Sequence, residues 1–185
     1  ANKNYKLLIK QAKEFNVKNV IITDCKNFNK IKKDKIIKNI KIFKDFKCFK
    51  KIFKTKIDYS MCSIMGIEGL EPTLNIIKHS KVVAIANKES IICGWNLLKK
   101  ELKRNNTTFI PVDSEHFSIW FALKDNYKTE DIKKIYITAS GGPFKNKPLN
   151  KFKNIKIKDA LKHPNWKMGK KITIDSSTLM NKVFE

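Results

Sequence analysis

An α/β fold is what this chain predicts: part of a doubly wound parallel sheet, followed by a smaller α+β unit. Two observations carry the prediction. Short apolar runs, such as Val20-Ile21-Ile22 and Lys81-Val82-Val83-Ala84-Ile85-Ala86, alternate with longer amphipathic stretches. Strands separated by helices in this way pair in parallel through right-handed crossovers. Beyond Val112 the alternation gives way to a Gly-Gly-Pro turn and a Pro/Asn/Lys-rich stretch. The chain therefore divides into residues 1–112 and 113–185.

The elements follow in order. Tyr5 to Phe15 carries Leu8, Ala12 and Phe15 at helical spacing. Asn19 to Thr23 reads as a short buried strand closed by Asp24. Phe28 to Phe43 reads as a Lys-studded amphipathic helix, and Ser60 to Met65 as a strand ending at Gly66. Pro72 to His79 is a helix with Pro near its first turn. Lys81 to Ala86 is a buried parallel strand, Ser90 to Leu102 a helix, and Thr108 to Val112 a strand. In the second unit, Lys134 to Ser140 and Ile172 to Asp175 read as strands, Lys145 to Lys158 as loop, and Ser177 onward as helix. The glycine-rich phosphate loop of nucleotide-binding sheets, Gly-x-Gly-x-x-Gly, is absent. Either no dinucleotide binds here or the first βα unit lies upstream of Ala1.

The 185 residues suffice for one sizeable core or two small ones, and 42% are apolar. The formal net charge of +23 invites a nucleic-acid reading, yet Arg104 is the single arginine. Bidentate contacts to bases and phosphates are the work of arginine. The lysines lie along the whole chain, interleaved with Asn and Ile, as AT-rich codon usage on solvated faces produces. The composition thus argues against a nucleic-acid partner. No apolar run approaches the roughly 20 residues that a membrane span needs, and no signal peptide is visible. Cys25, Cys48, Cys62 and Cys93 have no paired spacing, so they are expected reduced and mostly buried. The first residue is not Met and the last falls within an apparent helix, so an internal piece of a longer protein is expected.

Three polar clusters carry the chemistry. Asp113 and Glu115 stand two apart at a strand end, where extended backbone puts both on one face. Two such carboxylates suit Mg2+ or Mn2+; equally, Ser114 can cap a helix with Glu115 in its first turn. Ser140-Gly141-Gly142 after a strand fits an anion-binding nest or a plain tight turn. Asp175-Ser176-Ser177-Thr178 reads as opening a helix, where phosphate binds readily, though capping explains the same residues. Beyond it, Asn181 and Lys182 project to the same side as Glu185. The loop from His163 to Gly169 combines Pro, Trp, Met and Gly. Trp166 and Met168 fit either core anchors or a lid that excludes water. His79 and His116 are expected to be non-catalytic.

Taken in order, Ala86-Asn87-Lys88-Glu89-Ser90 with Gly94, Pro111 to His116, Thr138 to Phe144, and His163 to Glu185 resemble the signature segments of the 1-deoxy-D-xylulose 5-phosphate reductoisomerases. The likeness is weak before Ser60 and strong after Lys81. It implies a nucleotide-binding domain followed by a catalytic one, and NADPH- and divalent-metal-dependent conversion of 1-deoxy-D-xylulose 5-phosphate to 2-C-methyl-D-erythritol 4-phosphate. By motif it implies Asp113, Glu115 and Glu185 as metal ligands. Lys88, Ser114, Glu115, Ser140, His163, Ser176, Asn181, Lys182 and Glu185 become substrate contacts, and Lys88, Asp113, Glu115 and Glu185 the catalytic residues. Asn87, Glu89 and Gly169 match positions that touch NADPH, and Trp166 and Met168 match the flap. The family is commonly dimeric. The missing glycine-rich loop leads to the expectation that these 185 residues alone are inactive. Two alternatives stand beside this one, another metal-dependent phosphosugar isomerase or aldolase and a basic nucleic-acid binder. The codon bias, joined to a pathway of bacteria and plastids, suggests an apicoplast or a bacterial cytoplasm.

Overall fold

The computed structural model describes residues 1–33, 39–124, 128–165 and 167–185. Among the described residues, five parallel strands form two sheets. β1 (Asn19–Ile21) pairs with β2 (Lys41–Phe43), and β3 (Ile57–Cys62) pairs with β4 (Ser80–Ile85), which pairs with β5 (Thr108–Pro111). Between the strands lie α1 (Tyr5–Glu14, ahead of β1), α2 (Cys25–Lys32), α3 (Phe49–Ile52), α4 (Leu70–Ile77) and α5 (Lys88–Arg104). The alternation read from hydrophobic runs is therefore the real architecture, and the fold is of the α/β class.

The larger core lies between the β3-β4-β5 sheet and helices α4 and α5. Ile77, Val83 and Leu98 are fully buried there, with Ile76, Ile85 and Leu102 around them. Removing one such side chain costs about 2–5 kcal/mol, transfer and cavity together. The smaller cluster, Ile22 and Ile31, holds β1, α1 and α2 together. At Gly94, α5 departs from helical geometry, and a Cβ there would lie 2.4 Å from Cδ1 of Leu70. Any larger residue would have to displace the Leu70 side chain, which packs against the glycine.

Several boundaries differ from the sequence reading. Asp24 caps α2, which begins at Cys25 and ends at Lys32, and Lys41–Phe43 is strand β2 rather than helix. The part of the expected Phe28–Phe43 helix at 34–38 lies outside the described residues. Ile36, Ile37 and Ile40 follow one another at helical spacing in the sequence, which extended the reading past the strand whose Ile42 packs on the Ile22 cluster. Cys25 and Cys93 are exposed and all four cysteines are free, so the expectation that most are buried fails.

The chain beyond β5 continues as α6 (Ser114–Leu123), α7 (Ile157–Ala160), α8 (Lys170–Ser177) and α9 (Met180–Phe184). Lys134 to Ser140 has no strand pairing among the described residues, and Ile172 to Asp175 lies inside α8. The alternation Ile172, Ile174 suggested β structure. It is outweighed by the i,i+4 pair Lys171–Asp175 and by burial of Thr173 and Ser177 one turn apart. No described helix is long and apolar enough to cross a membrane.

Candidate active site

Parallel pairing brings the carboxyl ends of β4 and β5 to one edge, with Ile85 opposite Pro111 and the Val112 amide donating to Ile85 O at 3.0 Å. The two loops that leave this edge supply Lys88 and the Asp113–His116 turn. This is where open α/β sheets place ligands.

Asp113 is the N-cap of α6: its Oδ1 accepts from the His116 amide at 2.8 Å. The capping reading of the hexapeptide is thus correct, with Asp113 rather than Ser114 in the role. It does not compete with the metal reading. Asp113, Glu115 and Glu185 each offer a carboxylate oxygen, and the three atoms lie within 4.8 Å of one another. Oxygen donors in that number suit a hard divalent cation, and the residues fit one. His116 Nδ1 donates toward both Asp113 oxygens, at 2.9 and 3.0 Å, which fixes the proton on that nitrogen.

Two lysines balance the acids. Lys88 Nζ donates to Glu185 Oε1 at 2.9 Å and also to Asn181 Oδ1. Lys182 Nζ donates to Glu115 Oε1 at 2.5 Å and also to Glu185 Oε2. Asn181 Nδ2 donates to Glu185 Oε1 at 2.8 Å. The Glu185 side chain is 1% exposed, and these partners stand where water would otherwise hydrogen-bond it. Burial alone would raise the Glu115 carboxyl. The hydrogen bonds from Lys182 and Ser114 outweigh it and bring it down to about 2. Lys182, whose ammonium burial would lower, is held above its ordinary value by Glu115 and Glu185.

A cleft of about 280 Å³ runs from Ser114, Glu115 and Lys182 to Ser140, His163 and Ser176. At that far end Ser140 Oγ lies 3.3 Å from His163 Nε2 and 3.4 Å from Ser176 Oγ. The Asn165 amide donates to His163 Nδ1 at 3.2 Å, so a neutral ring carries its proton on Nε2 and presents it to Ser140. Gly141 and Gly142 are consecutive left-handed residues, with φ of 82° and 61°. A Cβ on Gly142 would lie 2.9 Å from Ser176 O, so the turn seats directly against α8. Ser176 itself is near the end of α8, not at a helix start as the sequence suggested. Leu179, at φ 59°, then turns the chain so that α9 aims Asn181, Lys182 and Glu185 back at the acids.

Met168 lines the same cleft and Gly169 caps α8 with open space around its Cα. Trp166 lies outside the described residues. Asn87 is buried as the N-cap of α5: its Oδ1 accepts from the Ser90 amide at 2.8 Å, and its Nδ2 donates to Gly66 O at 2.7 Å and to Ile64 O. Glu89 is engaged by Lys171, which sequence reasoning passed over. Its i,i+4 spacing to Asp175 was the available signal, hidden by reading that segment as a strand.

Comparison with known proteins settles the family. The model of 1-deoxy-D-xylulose 5-phosphate reductoisomerase matches residues 1–94, and that of the reductoisomerase C-terminal domain matches residues 109–185. The chain belongs to the 1-deoxy-D-xylulose 5-phosphate reductoisomerase family. Over its full length it is 66% identical to the reductoisomerase of Pelagibacter ubique (strain HTCC1062), covering 48% of that protein, and 43% identical to that of Wolbachia pipientis subsp. Culex pipiens (strain wPip), covering 47%. The chain thus spans about half the length of the curated bacterial relatives it matches. A DOX-P reductoisomerase crystallised with NADPH, fosmidomycin and magnesium superposes with a TM-score of 0.84 at 30% identity, over 100% of this chain and 48% of that one. The Zymomonas mobilis enzyme in complex with NADPH gives 0.81 at 33%, over 100% and 47%. Both family models describe one activity, which leaves the aldolase and nucleic-acid alternatives without support.

Proposed function

We propose that this chain is the metal- and phosphate-binding part of an NADPH-dependent reductoisomerase that converts 1-deoxy-D-xylulose 5-phosphate to 2-C-methyl-D-erythritol 4-phosphate. The observation that carries the reading is a cleft with Glu115 at one end and Ser140, His163 and Ser176 at the other, Glu115 being one of three carboxylates whose oxygens lie within 4.8 Å of one another. A phosphosugar has matching ends, vicinal oxygens for a chelated cation and a phosphate for hydroxyl and imidazole donors.

Asp113, Glu115 and Glu185 would hold Mg2+ or Mn2+, and such a cation, when bound, supplies Lewis-acid stabilisation of a developing oxyanion. Lys88, fixed against Glu185 and Asn181, adds positive charge at the reacting end without needing to move. Ser114 and Lys182, both bonded to Glu115, and Asn181 on the cleft wall orient the carbon chain. Ser140, His163 and Ser176 bind the phosphate, whose remote binding energy supports orientation at the reacting carbons. Met168, which lines the cleft, would cover the sugar and exclude water.

NADPH would approach along the α5 start, near Asn87 and Glu89, and near Gly169. Both carboxamide hydrogens of Asn87 are already committed, so its contact falls to the backbone. The division into residues 1–112 and 113–185, the homodimer and the absence of nucleic-acid and membrane partners belong to the same reading. For compartment, the bacterial relatives favour bacterial cytoplasm and give the apicoplast no support. The test is NADPH oxidation by the full-length gene product, dependent on both 1-deoxy-D-xylulose 5-phosphate and Mg2+. Oxidation that ignores either one overturns the proposal.

A further inference from the structure

Lys171, itself in α8, lies outside the cleft, yet it touches α5 and α9 as well as its own helix. Its Nζ pairs with Glu89 of α5 and, at 2.8 Å, with Asp175 of α8, and it sits over the ring of Phe184 of α9, 5.6 Å from the centroid. Each partner is the immediate chain neighbour of a residue in the candidate site: Glu89 of Lys88, Asp175 of Ser176, and Phe184 of Glu185. Successive helix residues point about 100° apart. Pinning one residue therefore fixes the rotation at which its neighbour is presented.

We propose that Lys171 is a positioning residue that sets the spacing between the two ends of the cleft, the acid end and the phosphate end. This rests on the reading of the cleft as a phosphosugar site. The energy of the pair is that of a surface ion pair; what it supplies is geometry. Glu89 and Asp175 retain only 18% and 14% of their side-chain exposure. The Glu89 bond also joins residues 82 apart in sequence, so it is not a local helix contact. Lys88 and Glu185 hold one end of a ligand and Ser176 the other. A cation bonded beside all three governs how well one ligand satisfies both ends together.

The consequence is specific. A ligand that uses one end is indifferent to Lys171, whereas a ligand that spans both ends is not. Misplacement of reacting groups by about 1 Å costs on the order of 10²-fold in rate, so the expected loss for a spanning ligand is roughly 10- to 100-fold.

The experiment compares wild type, Lys171→Met and Lys171→Arg in the full-length gene product. Binding is measured for Mn2+ alone, for inorganic phosphate alone, and for a ligand with a hydroxamate at one end and a phosphonate at the other. Lys171→Met should leave the first two within about threefold and weaken the third by 10- to 100-fold, with a parallel fall in kcat/KM. Lys171→Arg should recover most of both losses. The proposal is overturned by an unchanged spanning ligand, by equal losses for all three ligands, or by Arg no better than Met. The two readings fail separately, since a wild-type protein that binds the spanning ligand but never oxidises NADPH with the sugar refutes the reaction and leaves the Lys171 comparison intact.

Discussion

Lys182 Nζ donates to Glu115 Oε1 at 2.5 Å, joining α9 to α6 across 67 positions of sequence. The same ammonium meets Glu185, so one lysine stands between two carboxylates that also converge on Asp113. Before any cation binds, Lys88 and Lys182 limit the repulsion among the three acids. Lys182→Met should therefore lower the melting temperature in chelator, since unpairing a buried carboxylate costs about 3–5 kcal/mol. Saturating Mg2+ should restore more of that loss than the shift it gives wild type. Equal Mg2+ shifts in the two proteins would refute the balance described here.

Asp113→Asn and Glu185→Gln each exchange an anionic oxygen for a neutral one. In the full-length gene product either change should reduce Mg2+-dependent turnover at least about 100-fold, the scale at which loss of a transition-state electrostatic group is felt. Circular dichroism should stay native, because a carboxamide oxygen still caps α6 at position 113 and still accepts from Lys88 at position 185. Near-normal turnover by both variants would remove these residues from the metal site.

How much of this was legible in the sequence depends on which signal each residue sends. β4 and the helix from Lys88 were readable because a continuous apolar run and a long amphipathic stripe have distinct periods. Asp113 and Glu115 were readable as a pair because only Ser114 separates them. The α8 segment was misread because Ile172 and Ile174 alternate over four residues, too short a span to tell two-residue from 3.6-residue periodicity. That error moved Ser176 to a helix start and hid Lys171. The Glu89–Lys171 and Lys182–Glu115 bonds are long-range, and no local pattern encodes them.

Gly142→Ala tests how the Ser140 turn is seated. Its φ of 61° is left-handed, and the new Cβ would meet Ser176 O at 2.9 Å and Ser177 Cα at 3.0 Å. Backbone strain of this kind costs about 1–3 kcal/mol. At about 2–4 °C per kcal/mol for a protein of this size, the melting temperature should fall by several degrees. The phosphate end should loosen with it, raising KM for the phosphorylated sugar more than for an unphosphorylated analogue. A variant as stable as wild type would mean that α8 does not press on this turn.

The Glu89–Lys171 pair predicts a pH dependence whose sign is fixed. Burial alone would raise the Glu89 carboxyl, but the hydrogen bond and charge of Lys171 outweigh it and hold the group below its ordinary 4.5. Burial would lower the Lys171 ammonium, but Asp175 and Glu89 outweigh that and hold it above 10.5. A lowered carboxyl stabilises the fold above its unfolded value, and that contribution disappears as pH falls through the folded value. A raised ammonium stabilises below its unfolded value and loses its contribution as pH rises through the folded one. Between these limits both contributions are present. Lys171 is about half exposed, so solvent screening holds the pair to about 1 kcal/mol or less. Glu89→Gln should therefore destabilise the protein by up to about 1 kcal/mol at neutral pH. In urea titrations stepped downward from 4.5, the two proteins should converge, because wild type loses the charge that the variant never had. A stability gap that stays constant or widens on acidification would show that the carboxylate charge of Glu89 is not what holds α5 to α8.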